Sequence, residues 1–259
     1  MGIDMASTRD YTYSISSADK TLKLIEILTE GQRNYSVSEI ARRLDTHVSS
    51  ADRFLLTLEG LGYVERDQIT GKFRLSDKLI DISNRIVVSH PLTVRYLDTM
   101  HTLAYDFDTT THIMAFWGMK TVTLHKDLQT HNLSFNNAFF DPKRYHYCSG
   151  PGKLLLSTLS EEKLAQYFST VKFIRFTPKT MTSETEVRKN LDLIRNVGYS
   201  VHDEEWLPGN LTIAFPLRVH GEIRGALSLM CDIGMKEKML SESVISLIKE
   251  RLKEPSEYL

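Results

Sequence analysis

The sequence predicts an α+β fold in two parts: a small helical unit ending in a hairpin, then a larger domain in which helices come before and after the strands of an antiparallel-centred sheet. Three observations predict it. Ser36-Val37-Ser38-Glu39 sets a glutamate three residues after a serine, the spacing at which the two side chains satisfy backbone N–H groups at a helix start. Apolar residues then recur at helical spacing in Val37, Ile40, Ala41 and Leu44, stop at Asp45-Thr46-His47, and resume in Ala51, Phe54, Leu55, Leu58 and Leu61. Beyond residue 108 the texture turns β-rich, with TTTHIMAFW and TVTLH separated by Gly118-Met119-Lys120.

Each element follows in order. Ser16 or Ser17 caps a first helix whose face is Ala18, Leu22, Ile25 and Leu28, widened by Leu24 and Ile27 and stopped at Gly31. Two short helices follow, the second with Ser49 or Ser50 as its cap and Gly62 at its end. Residues 63–66 and 72–75 read as strands joined across a polar turn ending in Gly71. Helix, tight turn, helix and hairpin make a winged helix-turn-helix, whose second helix suits a DNA major groove. The plainer reading is a helix pair and ribbon with no nucleic acid. From Ser76-Asp77 an amphipathic linker helix (Leu79, Ile82, Ser83, Ile86) runs to about Ser89, where His90-Pro91 interrupts it.

The second half reads as a helix over 92–107 (Val94, Leu97, Leu103, Ala104), the β-hairpin, a further strand over 132–140, and helices over 152–158, 161–168 and 184–197. Strands over 199–205, 211–219 and 223–231 come next, and a helix over 241–252 closes it. The expected division is 15–76 for the winged unit, 77–91 for the linker and 92–255 for the second domain, with the first fourteen residues unstructured.

Composition fits this division. The chain has 259 residues, of which 25% are charged and 41% apolar, enough for two buried cores. No uncharged apolar run approaches the roughly 20 residues of a membrane helix, and no secretory pattern is seen, so no membrane partner is expected. Two cysteines, Cys148 and Cys231, suggest neither a disulfide framework nor a zinc site, and a cytoplasmic location is expected. The formal net charge is −1, and residues 31–74 carry seven basic against six acidic residues, a net +1. A DNA-binding unit so weakly charged needs its cations on one side and a second copy beside it.

Catalysis finds little support. Gly150-Pro151-Gly152-Lys153 is not a P-loop, because Tyr147 stands where the first glycine belongs and Leu154 follows the lysine. His146 and Cys148 lack a third orienting group, and the nine histidines form no metal-binding set. No catalytic residue, metal or cofactor is expected.

Several strings carry a wider resemblance: Ser38-Glu39-Ile40-Ala41, Leu61-Gly62-Tyr63-Val64, Phe73-Arg74-Leu75, Ser149-Gly150-Pro151-Gly152-Lys153, Gly198-Tyr199-Ser200, Asp203-Glu204-Glu205, Gly209 and Ala226-Leu227-Ser228. In this order and spacing, from about Ile15 to Leu252, the chain resembles the IclR-type bacterial transcription regulators. The resemblance implies a winged helix-turn-helix joined to a GAF-like effector-binding domain, working as a homodimer or homotetramer. It implies double-stranded operator DNA as one partner and a small metabolite, often an organic, aromatic or sugar acid, as the other; the donor that His202 adds favours a hydroxy or keto acid. Repression is favoured over activation. The competing reading is a small-molecule-binding or catalytic α+β domain carrying an incidental helical module.

Candidate residues follow for both sites. On the second helix Ser49 and Ser50 can cap and touch phosphate, and Arg53 can grip phosphate or guanine. Asp52 either accepts from a cytosine amine or stabilises the helix start. Family members carry Lys where this chain has Val48, and His or Tyr at Asp52. In the hairpin, Lys72 and Arg74 are phosphate candidates. In the second domain Gly150 and Gly152 are expected to free backbone N–H groups ahead of a helix beginning near Lys153, which suits a carboxylate. The resemblance places ligand contacts at Gly150, Pro151, His202, Thr212, Ser228 and Met230, beside the hydroxyl of Ser149. His202 stands where a relative has Asp, and Met230 where it has Ser. A small anion is expected there, with Trp206 and Met230 as possible walls.

Overall fold

The computed structural model describes residues 15–31, 34–128 and 145–253. The expected strand over 132–140 and the first fourteen residues lie outside them. The described chain divides into two compact units between Val88 and Ser89.

The first unit holds α1 (Ser16–Thr29), α2 (Val37–Arg43), α3 (Val48–Gly60) and a two-stranded sheet of β1 (Val64–Arg66) and β2 (Phe73–Leu75), with α4 (Lys78–Ser89) leading out. At the start of α2 the expected capping box forms: Glu39 N–H donates to Ser36 Oγ, and Ser36 N–H donates to Glu39 Oε2 at 2.9 Å. Asp45 takes a left-handed φ of 48°, which turns the chain sharply toward α3. Leu24, Ile27 and Leu28 of α1 pack with Ile40, Ala41, Ala51, Leu55, Leu58, Val64 and Phe73 in one core.

Several expectations need correction here. Ile15 occupies the α1 cap position and Ser16 and Ser17 lie inside the helix, so no side chain caps it. Only the C-terminal half of α1 is buried, which leaves Ala18 and Leu22 exposed. His47 is the α3 cap residue, again without a side-chain bond, and Ser49 and Ser50 sit in the first turn. Because α3 ends at Gly60, Leu61 falls on the cap and is 56% exposed. No residue of α4 is buried, and Ile86 faces outward.

In the second unit Pro91 opens α5 (Pro91–Phe107), and His90 caps it by accepting from Leu92 N–H at 3.2 Å. The sheet contains β3 (Thr110–Trp117), β4 (Lys120–Asp127), β5 (Ser200–Asp203), β6 (Asn210–Val219) and β7 (Glu222–Asp232). Its order is β4-β3-β7-β6-β5 and every pair is antiparallel. His220 and Gly221, both at positive φ, make the tight turn between β6 and β7. Strand alternation sends Leu211, Ile213, Phe215 and Leu217 to one face, against α5 and α10 (Glu242–Arg251), while Val94 points away at 74% exposure. The other face carries Ala214 and Ala226 beneath α6 (Gly150–Ser157), α7 (Glu161–Thr170) and α8 (Glu184–Val197). Residues 233–239, a short turn of helix and then α9 (Lys236–Met239), complete the unit and have no counterpart among the sequence expectations.

Candidate nucleic-acid interface and effector site

On α3, Ser49 and Arg53 are four residues apart and both exposed, so they share a face, while Ser50 and Asp52 lie half-buried beside it. Arg42, Arg53 and Lys72 are exposed and have no ion-pair partner among the described residues. Arg74 differs: it faces Glu65 across the hairpin and pairs with it at 2.9 Å. The hairpin tip is tied by Asp67, whose carboxylate accepts from Thr70 N–H at 2.6 Å and Ile69 N–H at 3.1 Å. These bonds hold Asp67 below the usual carboxylate range.

The effector candidates lie on the sheet face beneath α6. Register aligns His202 with Thr212, Thr212 with Met230, and Met230 with Thr110 in one row across four strands. The next row on that face runs Ala214, Ser228, His112. His112 is a residue the sequence reading did not select. Its Nδ1 lies 3.4 Å from Ser228 Oγ. Thr212 donates its hydroxyl to Asn210 Oδ1 at 3.0 Å, leaving oxygen lone pairs available.

At the start of α6 the structure corrects one expectation. The helix begins at Gly150, not near Lys153, and Ser149 is its cap, with Oγ accepting from Gly152 N–H at 3.2 Å. Pro151 has no N–H to offer, so of the glycine-rich turn only Gly150 keeps an N–H without a partner among the described residues. Gly152 serves packing: a Cβ there would lie 2.4 Å from His146 Cα. Gly150 rests against Thr212, with a Cβ position 3.3 Å from Thr212 Cγ2.

His202 is held by its surroundings. Its Nε2 accepts from Trp206 N–H at 2.9 Å, so the ring proton sits on Nδ1. That Nδ1 is buried with no hydrogen-bond partner among the described residues. Burial first, and Lys153 second, push His202 down to about 3. Burial and then Lys126 push His112 down to about 4. Both imidazoles are therefore neutral at ordinary pH. Trp206 itself packs in the core under α6–α8.

Lys153 explains how the site is braced. It is fully buried, donates to Val201 C=O at 2.6 Å and forms an ion pair with buried Glu205. Asp203 and Glu204, from the same acidic run, pair outward with Lys179, and Asp203 also with Lys236. The run thus ties the loop after β5 to α6 and to its neighbours. Cys148 is not an activated thiol: burial raises it to about 12. Among the described residues no group of three His, Cys, Asp or Glu is placed to hold a metal, and no helix is long and apolar enough to cross a membrane.

Comparison with known proteins decides the class. The profile described as "Bacterial transcriptional regulator IclR C-terminal" matches residues 85–257, and "IclR helix-turn-helix domain" matches residues 17–68. The chain belongs to the IclR family of bacterial transcriptional regulators. It is thus a transcription regulator with a DNA-binding winged helix-turn-helix, not an enzyme. It is 30% identical to the HTH-type transcriptional regulator KdgR of Dickeya chrysanthemi over 205 residues, covering 79% of this chain but only 66% of that relative, just under two thirds. It is 25% identical to the p-hydroxybenzoate hydroxylase transcriptional activator of Acinetobacter baylyi, covering 95% of this chain and 92% of that one. Among solved structures, an IclR homologue from Microbacterium hydrocarbonoxydans complexed with 4-hydroxybenzoate shares the fold, with a TM-score of 0.71 at 21% identity over 91% of this chain and 95% of that one.

Proposed function

We propose that this regulator is a repressor that binds a pseudopalindromic operator as a dimer and is released when a small organic acid occupies the face between α6 and the sheet. On the DNA side Ser49, Ser50, Arg53 and Lys72 meet the duplex directly, Asp52 lies at the edge of the contact, and Arg74 exchanges Glu65 for phosphate. On the effector side Gly150, Pro151, His202, Thr212, Ser228 and Met230 surround the acid, and Ser149 holds the helix start in place. The observation that carries the effector half is the buried, unpartnered Nδ1–H of His202, a donor that an acid oxygen satisfies. The Microbacterium hydrocarbonoxydans homologue complexed with 4-hydroxybenzoate supports the chemical class.

Fluorescence anisotropy on the DNA upstream of the protein's own coding region tests this reading. Tight binding is expected at low salt and weaker binding as salt rises, with Arg53→Ala reducing the salt slope by about one. A folded protein that ignores this DNA at low salt overturns the proposal. The sign of regulation depends on position: an operator overlapping the promoter fits repression. A footprint wholly upstream of the promoter fits activation instead, the role that the Acinetobacter relative's name gives to that protein.

A further inference from the structure

The two neutral imidazoles on the effector face stand at its opposite sides. His202 is on β5 and His112 on β3, with β6 and β7 between them, so three strand spacings separate them. That is about 14 Å of sheet width. The two ends differ in chemistry. At the His202 end the partners are donors, His202 Nδ1–H and the N–H of Gly150 above Thr212, which suit a carboxylate. At the His112 end an imidazole and a hydroxyl stand together, His112 Nδ1 with Ser228 Oγ, and His112 Nε2 has no hydrogen-bond partner among the described residues. Such a pair both donates and accepts, which suits a hydroxyl or carbonyl.

We propose that His112 is a second effector-contacting residue, and that the site takes an elongated carboxylic acid with a polar group at its far end in preference to a compact two- or three-carbon acid. Aromatic hydroxy acids and six-carbon sugar or keto acids have this form. A compact acid touches one imidazole and forgoes the hydrogen bonds offered at the other end, which weakens its binding. The inference rests on this face being the effector site.

Titration calorimetry on the intact protein tests it with 4-hydroxybenzoate and galacturonate as two-ended probes, and benzoate and pyruvate as one-ended controls. At least one two-ended acid is expected to bind roughly tenfold more tightly than either control. His112→Ala is expected to remove that advantage and leave the controls unchanged, while His112→Gln, which keeps a donor and an acceptor, retains part of it. An unliganded melting curve shows whether each variant is folded, and His112→Gln carries the test if the alanine variant is not. Pyruvate binding as tightly as the two-ended acids, or a folded His112→Ala with its preference intact, overturns the inference and leaves the effector site standing. Loss of all binding in His202→Asp alongside an unaffected His112→Ala has the same meaning. If none of the four acids binds, the inference and the reading beneath it fall together.

Discussion

The imidazoles of His202 and His112 sit where protonation is disfavoured, and that leaves a trace in stability. Burial lowers them to about 3 and about 4, whereas in the unfolded chain each titrates near its ordinary value of about 6.5. The folded values lie below the unfolded ones, so between these limits the unfolded state binds more protons. The contribution is therefore complete above pH 7 and declines as pH falls from about 6.5 toward 4. Each histidine accounts for roughly 2 kcal/mol between pH 7 and pH 5 at about 1.4 kcal/mol per pH unit. Both tryptophans, Trp117 and Trp206, belong to the second unit, so their fluorescence in urea follows that unit alone. The unfolding midpoint is expected to fall between pH 7 and pH 5, and the double variant His202→Gln/His112→Gln should lose most of that fall. An undiminished pH slope in the double variant would place the titrating groups elsewhere.

Elements are held by contacts of very different sequence range, and this decides how far each could be read in advance. The α2 capping box was legible because Ser36 and Glu39 are three residues apart and need no partner outside the helix. The bounds of α8 are fixed equally locally, by Ser183 as cap and Gly198 at the left-handed stop, and its apolar spacing was enough to read them. Periodicity showed that α1, α4 and α5 have apolar faces, but it did not show which positions meet a partner, so Leu22, Ile86 and Val94 were misplaced. The start of α6 and the role of His112 depend on tertiary approach: His146 against Gly152, and the register of β3 on β7. The Lys153–Glu205 pair spans 52 positions in sequence and left no local signal. It ties α6 to the loop after β5. Lys153→Met strands a buried carboxylate and is expected to destabilise the second unit by about 3–5 kcal/mol. Adding Glu205→Leu removes the stranded charge and should recover most of that loss in the same fluorescence assay. Two losses that simply add would show that the pair is not coupled.

At the scale of the whole molecule, charge argues for more than one copy on DNA. The chain carries −1 and its winged segment +1, so affinity cannot come from a general basic field. Arg42, Arg53 and Lys72 are exposed cations of that unit without an ion-pair partner among the described residues. Three phosphates neutralised per copy, by Arg53, Lys72 and Arg74 once it leaves Glu65, give a salt slope near −3, whereas two copies on a symmetric site give about −5. Two recognition helices would then meet half-sites about 34 Å apart or a multiple of that. Light scattering at micromolar concentration is expected to give a dimer or a pair of dimers, and the anisotropy slope on a palindromic site should exceed that on a single half-site nearly twofold. A monomer that binds one operator tightly, with equal slopes on the whole site and the half-site, would mean that a single α3 and hairpin suffice. In that case the neutralising charge must come from groups other than these three.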